Sequence, residues 1–380
     1  MFNSSKTIAS MVLIIVIVLA FGGGFLVGQG NPPPSPEGLN VIEEALNDVI
    51  AKYVEPGKIV TANITAGAIK GILASLHDPY TAYYAPAEYE MVQSDFEGSF
   101  EGIGAVVSTL EGKIIIVAPI AGAPAEKAGI KKNDVILAVN GESTEGQTQD
   151  MVVSKIRGTS GTTVELLILH EGETEPVTIS VTRAKVEVPS VSFEMRGDIA
   201  VISILQFTNR TEEEFAKIMP NLAAENAAGI VLDLRGNPGG ILDIVVQVAS
   251  HFITDGVIVS VRSREGDIEV HHAVSQKVTT ALPMVVLVDE FSASGSEVLT
   301  GALQDRGRAM VAGNVTYGKG SVNTLLHLSD GSGIYITIAR WLTPNGTLIE
   351  GNGIIPDRLL DITGEEELQW AIDYLHGMNH

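Results

Sequence analysis

One stretch of this 380-residue chain, from Val286 to Asn323, reads VLVDEFSASGSEVLTGALQDRGRAMVAGNVTYGKGSVN. It begins as an apolar run typical of a buried strand, and the run breaks at residues 290–292. A segment with helical periodicity follows, and its apolar side consists of Val298, Leu299, Ala302 and Leu303. We therefore expect Ser294 on the bend between a strand and a helix.

A serine on such a bend lies beside backbone N–H groups that the first turn of a helix leaves unpaired. Those groups and the positive end of the helix dipole can stabilise an oxyanion, which acyl transfer requires. Further along, Lys319 lies between two glycines in Tyr317-Gly318-Lys319-Gly320. Ser294 and Lys319 together therefore offer a nucleophile and a base.

Each of these residues also has a purely structural explanation. Ser294-Gly295-Ser296-Glu297 fits the capping box, so Ser294 alone can be read as a helix cap. Lys319 alone is compatible with a solvated lysine in a turn. Their occurrence together, in this order and in this sequence context, favours catalysis.

The context resembles the carboxyl-terminal processing proteases, serine endopeptidases that use a Ser-Lys dyad. The family's nucleophile segment, S-A-S-x-S-E followed by A-L-Q-D, is matched by residues 292–297 and 302–305. The resemblance implies that Ser294, the middle serine of the three, is the nucleophile. It extends from about Val41 to Asp357 and includes the closing motif G-x-G-I-x-P-D at residues 351–357.

The family's lysine motif, T-F-G-K-G-S-V-Q, is matched by residues 316–323 except at Tyr317 and Asn323. The resemblance implies that Lys319 is the base. Asn323 replaces the glutamine that positions the lysine in the family, and its side chain is one methylene shorter. A working but weakened site is therefore expected.

A glycine-rich turn, DLRGNPGG at residues 233–240, connects an apolar strand to a helix. An ordinary βα turn explains it, but the resemblance implies that Gly239 or Gly240 contributes one N–H to the oxyanion hole and Gly295 the other.

Strand-like runs alternate with helical ones in the carboxyl-terminal half of the chain, which favours α/β units around a largely parallel sheet. For residues 186–380 the resemblance implies an α/β core like that of the crotonases and the Clp peptidase. The five strand-like runs are 199–205, 229–234, 257–261, 284–288 and 309–312, and the three helical ones are 211–226, 241–252 and 297–304.

Residues 100–185 resemble a mostly β PDZ domain inserted before this core. The segment Glu101-Gly102-Ile103-Gly104-Ala105 is similar to the loop whose N–H groups hold a peptide's terminal carboxylate. An ordinary G-x-G turn would explain it alone, but N-D-V-I-L-A-V-N-G at residues 133–141 favours a PDZ domain. A strand at 113–118, a helix at 147–157 and a strand at 162–169 are expected. The resemblance implies that Arg157 links the occupied PDZ domain to the core.

The amino-terminal segment carries no charge from Thr7 to Gly30, a length that spans a bilayer as a helix. Residues 1–30 are therefore expected to be a transmembrane anchor, with a cleaved signal segment as the alternative. Lys6 before it and an acidic chain after it favour an extracytoplasmic, single-pass arrangement. The proline-rich residues 31–37 form a stiff tether.

Residues 38–99 are expected to be a helical region. Two helical patterns occupy residues 38–76, and these helices pack on each other or on a second subunit, which would make a homo-oligomer. Residues 77–84, HDPYTAYY, can be read as an aromatic binding patch. The family has a similar linker, so the resemblance favours a packing role.

Composition excludes several other functions. The net charge of −22 argues against nucleic acid as a partner, and the chain has no cysteine. None of the eight histidines stands in a recognisable triad context, and no metal-binding spacing or P-loop occurs, so no cofactor is expected. We therefore expect a membrane-tethered endopeptidase that binds C-terminal tails of proteins. The alternative is a tail-binding adaptor on a degraded protease core.

Overall fold

The computed structural model describes residues 38–110 and 112–378. This part of the chain divides after Ala68 into two compact units. The expected membrane anchor at residues 1–30 and the tether at 31–37 lie outside the described residues. Among the helices that are described, none is long and apolar enough to cross a bilayer.

The first unit contains the helices expected between residues 38 and 76. They are α1 (Asn40–Lys52), a short 3-10 turn (Pro56–Lys58) and α2 (Thr61–Ala74), the last of which continues into the second unit. No residue of α1 is buried. Its apolar side chains are exposed, namely Val41, Ile42, Leu46, Val49 and Ile50.

The second unit contains all the strands that the structure describes. In chain order they are β1 (Ala82–Tyr84), β2 (Ser99–Gly102), β3 (Ala105–Leu110), β4 (Lys113–Pro119), β5 (Val135–Val139), β6 (Glu142–Ser143), β7 (Thr163–Leu169), β8 (Val177–Thr182), β9 (Ala184–Glu187), β10 (Val191–Arg196), β11 (Ile199–Ile204), β12 (Gly229–Asp233), β13 (Val257–Ser263), β14 (Ile268–His272), β15 (Met284–Val288), β16 (Met310–Gly313), β17 (Ser321–His327), β18 (Gly333–Leu342) and β19 (Arg358–Leu359). Its further helices are α3 (Pro86–Glu97), α4 (Pro124–Lys127), α5 (Gln149–Ile156), α6 (Thr211–Ala224), α7 (Leu242–Ala249), α8 (Gly295–Asp305) and α9 (Glu365–Met378).

The centre of the α/β core is a six-stranded sheet with the order β10-β11-β12-β15-β16-β19. All neighbours in it are parallel except β10 and β11. Four of the five apolar runs expected to be strands form its middle, and β15 is buried at every residue. Such runs without polar alternation are typical of parallel strands, because helices cover both faces of the sheet.

Helices cover this sheet on its two sides and complete the core. On one side α6, α7 and α8 contribute residues such as Phe215, Val245 and Leu299 to a single apolar cluster. On the other side α9 contributes Ala371 and Leu375 to a second cluster. The structure confirms an α/β core.

The remaining expected strand, β13, lies outside the parallel sheet. It pairs antiparallel with β14 and β18 in a second sheet that also contains β1 and β17. The prediction that residues 257–261 belong to the α/β repeat was wrong in this respect. Several β13 residues are only partly buried, as expected for an antiparallel sheet with one face toward water.

The PDZ domain has a sheet and a core of its own. Its strand order is β3-β4-β5-β7-β8, with β6 at the side of β5, and α5 packs against it. Ile116, Val164 and Leu166 are fully buried in its apolar cluster. The antiparallel pair β2 and β9 brings Ser99 opposite Glu187, so the segments that enter and leave the domain are adjacent.

Candidate active site

Ser294 occupies the expected bend between β15 and α8. Its backbone angles, φ 52° and ψ −112°, lie in a region that residues other than glycine seldom adopt. Such a conformation costs about 1–3 kcal/mol and persists only where the surrounding structure enforces it. Among the described hydrogen bonds, none involves the Ser294 Oγ atom, so this side chain does not cap the helix.

The Glu297 carboxylate fixes the backbone around the serine. It is fully buried, and its Oε2 atom accepts a hydrogen bond of 2.8 Å from the Ser294 N–H and one of 2.9 Å from the Lys319 N–H. Oε1 accepts hydrogen bonds from the Thr316 hydroxyl at 2.6 Å and from the Gly318 N–H at 2.7 Å. Burial raises the pKa of this carboxyl, and the four hydrogen bonds act in the opposite direction.

Lys319 lies in the loop between β16 and β17. Its Nζ atom is 5.4 Å from the ring centroid of Tyr80 and 5.4 Å from that of Tyr335. Burial lowers the pKa of its ammonium group, while the charges of Glu350, Asp78 and Glu297 oppose that shift. Within the described part of the chain, no hydrogen bond joins this amine to Ser294 Oγ, so only their backbones are tied together.

Two backbone N–H groups beside Ser294 are available to an oxyanion. Neither the Gly240 N–H nor the Gly295 N–H has an acceptor among the described residues, whereas the Gly239 N–H donates to Asn237 Oδ1 at 2.8 Å. Of the two candidate glycines in the turn, the geometry therefore favours Gly240. A Cβ atom on Gly240 would lie 2.0 Å from the Phe207 carbonyl oxygen, and one on Gly239 would lie 2.6 Å from the Gly295 nitrogen. Both positions require glycine.

Asn237 connects the glycine-rich turn to the serine's helix. Its Nδ2 donates to the carbonyl of Ile204, and its own carbonyl accepts from the Ala293 N–H and the Ser296 hydroxyl. The residue is fully buried, so these bonds compete little with water. At the outer end of the turn, Arg235 forms ion pairs of 2.6 Å with Asp233 and 2.7 Å with Glu367.

The Asn323 side chain forms hydrogen bonds with residues near Lys319 but not with Lys319 itself. Its Nδ2 donates to the Tyr80 carbonyl and to the Thr337 hydroxyl, each at 3.0 Å, and its Oδ1 accepts from the Ser321 hydroxyl at 2.8 Å. In the described structure it makes no hydrogen bond with Lys319. The direct contact expected from the family's glutamine is therefore absent here.

The PDZ domain presents an apolar groove of about 260 Å³ beside β3 and α5. Its lining includes Ile103, Gly104, Ala105 and Arg157, and Gly102 ends the adjacent strand β2. The N–H groups of Ile103 and Gly104 have no acceptor among the described residues, which suits a terminal carboxylate.

Arg157 lies between this groove and helix α3. Its guanidinium is 4.9 Å from the ring centroid of Phe100, and Nη1 is 3.4 Å from the Asp95 carboxylate. A residue that lines the groove thus contacts helix α3, which precedes residue 100.

Three residues of this site carry roles that the sequence analysis missed. Glu297 was considered only as part of a capping box, although its spacing from Ser294 signalled its bond to the serine's N–H. Tyr80 was assigned to packing on the basis of the linker motif. Tyr335 lies in β18, and nothing in its sequence neighbourhood distinguishes it from other strand aromatics.

Known proteins are similar to this chain along most of its length. Residues 198–360 match peptidase family S41, and residues 92–169 match the PDZ domain. The carboxy-terminal processing protease CtpB of Bacillus subtilis is 38% identical over 323 residues, covering 84% of this chain and 67% of that protein. CtpA of the same organism is 35% identical over 351 residues, covering 92% and 74%. The structure of the photosystem II D1 C-terminal processing protease matches with a TM-score of 0.53 and 30% identity over 84% of this chain and 86% of that one.

Proposed function

Because the chain belongs to the carboxyl-terminal processing proteases, serine peptidases with a PDZ domain, we propose that it is an endopeptidase with a Ser-Lys dyad. Its PDZ groove holds the C-terminal tail of a protein substrate while Ser294 attacks a peptide bond and Lys319 acts as base. The observation that carries this proposal is the Glu297 carboxylate, which joins the backbones of the strained serine and the lysine.

In the proposed mechanism, neutral Lys319 accepts the hydroxyl proton as Ser294 Oγ attacks the scissile carbonyl carbon. The carbonyl oxygen gains negative charge, and the N–H groups of Gly240 and Gly295 stabilise it. The lysine then passes its proton to the leaving amine, which leaves an acyl-enzyme on Ser294. A water molecule, deprotonated by the same lysine, hydrolyses that ester and regenerates the serine.

A fluorophosphonate probe tests the nucleophile. The wild-type protein should form one covalent adduct, and the adduct should be absent from Ser294→Ala. Ser75→Ala, a change at an exposed serine directly after helix α2, should label like the wild type. Labelling of folded Ser294→Ala would show that another residue is the nucleophile. A tail-binding adaptor without activity predicts no adduct in any of the three.

We also propose that residues 1–30 anchor the protein in a membrane with its catalytic part outside the cytoplasm. The uncharged stretch Thr7 to Gly30 and the preceding Lys6 support this. The full-length chain should then stay with membranes after a carbonate wash, and external protease should release a folded soluble fragment. Recovery of only a soluble chain that begins near Gln29 would show a cleaved signal segment instead.

A homo-oligomer formed through the amino-terminal helices is the last part of the proposal. The exposed apolar residues of α1, which include Val41, Leu46 and Val49, support it, because a single solvated helix seldom carries so many. Sedimentation of residues 38–380 should give a species larger than a monomer. The substitution Leu46→Glu should dissociate it, whereas Asp48→Ala on the same helix should not.

A further inference from the structure

The amine of Lys319 lies between two aromatic rings. Nζ is 5.4 Å from each of the ring centroids of Tyr80 and Tyr335, within the range in which a cation is attracted to a ring face. The same amine makes no hydrogen bond or ion pair with any described residue. These two rings are therefore the described groups that hold the end of the side chain.

Hydrogen bonds hold the backbone of Tyr80, which carries the ring. Asn323 Nδ2 donates to the Tyr80 carbonyl at 3.0 Å, and the Tyr80 N–H donates to Asp78 at 3.0 Å. The neighbouring Thr81 hydroxyl donates to Asp78 at 2.8 Å and accepts from the Thr337 N–H at 3.2 Å. The segment is thereby attached to β17 and β18, the strands next to the lysine loop.

Tyr335 reaches the amine from β18, where its residue pairs with Ala82 of β1. One ring thus comes from β18, and the other comes from the segment that precedes β1, the strand paired with β18. Other titratable groups also act on this amine or on its rings, namely Asp78, Glu297, Glu350, Tyr317 and Tyr84. None of these five forms a salt bridge with Lys319 in the described structure.

We propose that Tyr80 and Tyr335 are positioning residues for Lys319, and that Asn323 acts on the lysine through Tyr80 rather than by direct contact. This inference rests on the proposed function, in which Lys319 is the base. It explains how a side chain shorter than the family's glutamine is used at residue 323: its amide holds the backbone that carries the Tyr80 ring, and the ring positions the amine.

The geometry has a consequence for the pH dependence of the reaction. A ring face stabilises the ammonium form, so it raises the pKa of the lysine against the effect of burial. Removing one ring should lower that pKa and move the acid limb of the rate profile down by roughly 0.5–1 pH unit. The plateau rate at high pH should fall by roughly tenfold, because the neutral amine is less well aligned.

The test measures how fast a fluorophosphonate phosphonylates Ser294, with loss of fluoride, in the full-length protein between pH 6 and 10. Tyr80→Leu and Tyr335→Leu should both show the downward shift and the lower plateau. Tyr80→Phe, which keeps the ring, should follow the wild type. The matched control is Tyr83→Leu, since the Tyr83 ring lies over Lys70 at 5.8 Å and not over Lys319.

Thermal melts identify variants that merely misfold, and the Phe variant separates loss of the ring from loss of the hydroxyl. A Tyr80→Leu profile that superimposes on the wild type, or a Tyr80→Phe profile that matches Tyr80→Leu, overturns the inference. If Lys319→Ala is labelled by the fluorophosphonate at the normal rate, the proposed function fails instead.

A double-mutant cycle tests the role of Asn323. Asn323→Ala should shift the profile in the same direction as Tyr80→Leu, because it releases the ring. The double variant should be no slower than Tyr80→Leu alone, since both changes break the same chain of contacts. Additive losses would mean that Asn323 and Tyr80 act on the lysine independently, which contradicts the inference.

Discussion

The backbone N–H of Lys319 donates a 2.9 Å hydrogen bond to the carboxylate of Glu297, which is fully buried. The same oxygen accepts from the Ser294 N–H at 2.8 Å. One side chain thus fixes the distance between the backbones of the two proposed catalytic residues. The strain at Ser294 can persist because this carboxylate and the glycine-rich turn hold it from both sides.

Replacing Glu297 by glutamine should therefore damage both stability and activity. All four of its partners are donors, and an amide NH2 group would face some of them without an acceptor. We expect a loss of about 2–4 kcal/mol in the free energy of unfolding, together with slower labelling by a fluorophosphonate. Urea unfolding and labelling rates measure the two effects.

Glu290→Gln serves as the control for this change, because Glu290 is exposed in the turn between β15 and α8. It should leave both quantities near the wild-type values. Wild-type stability in Glu297→Gln would mean that the buried carboxylate is protonated and already behaves like an amide.

The second prediction concerns Lys319 and pH. Burial lowers the pKa of its ammonium, so the neutral base becomes available below the usual value near 10.5. The rate should rise with pH through one ionisation in that range. Lys319→Ala should be inactive, and Lys319→Arg should be equally inactive because a guanidinium stays charged.

The same shift predicts an effect on folding. A lysine whose pKa is lowered in the folded state contributes most to folding stability above its unfolded pKa of about 10.4. This contribution is lost as the pH falls through the pKa of the folded state. Lys319→Met should consequently gain stability at pH 7, and the gain should shrink toward pH 10. Equal melting-temperature differences at both pH values would contradict the burial on which the proposed base role of Lys319 depends.

Much of this architecture is visible in the sequence. The buried strands β11, β12, β15 and β16 follow from apolar runs, and Ser294 was correctly placed at a strand–helix bend. Strand β13 could not be assigned to its sheet, because a short apolar run does not specify its partners. The contacts of Tyr335 with Lys319 and of Asn323 with Tyr80 join residues far apart in the chain, so only the folded backbone defines them.

The third prediction concerns communication between the PDZ groove and the core. Arg157 lines the groove and contacts both Phe100 and Asp95 outside its own helix. A peptide can activate the protease only if it binds one conformation better than the other. Peptides with a free apolar carboxyl terminus should therefore bind more tightly and be cut faster than amidated ones.

Arg157→Ala should reduce the difference in cleavage rate between the two forms of peptide. Lys155→Ala is the matched control, since Lys155 lies in the last turn of α5, two residues before Arg157, and pairs with Glu142 within the PDZ domain. Binding by calorimetry and cleavage by mass spectrometry separate affinity from rate. Equal rates for free and amidated peptides in the wild type would remove the basis for activation by the tail.

The last prediction concerns His251 and stability in acid. Its ring is almost fully buried, with Nδ1 2.6 Å from the Val278 carbonyl oxygen and the ring centroid 5.3 Å from that of Phe215. Its Nε2 is buried and has no hydrogen-bond partner among the described residues. Burial lowers the pKa of this imidazole, and the Val278 carbonyl and Glu212 only partly oppose that shift.

Because the folded pKa is depressed, the folded state favours the neutral ring. This contribution to stability is fully present above the unfolded pKa of about 6.5 and is lost as the pH falls through the folded value. The protein should therefore melt at a lower temperature at pH 5 than at pH 7.5. In His251→Asn that decrease should be smaller, although packing loss costs about 1–3 kcal/mol at both pH values.

His272→Asn, an exposed change on β14, should keep the wild-type decrease. Folded His251→Asn should also retain cleavage at pH 7.5, because this histidine packs in the core against Phe215 and Lys319 is the proposed base. An unchanged pH effect in His251→Asn would assign the acid sensitivity to other groups. Loss of cleavage with intact folding would transfer the role of base from Lys319 to this histidine.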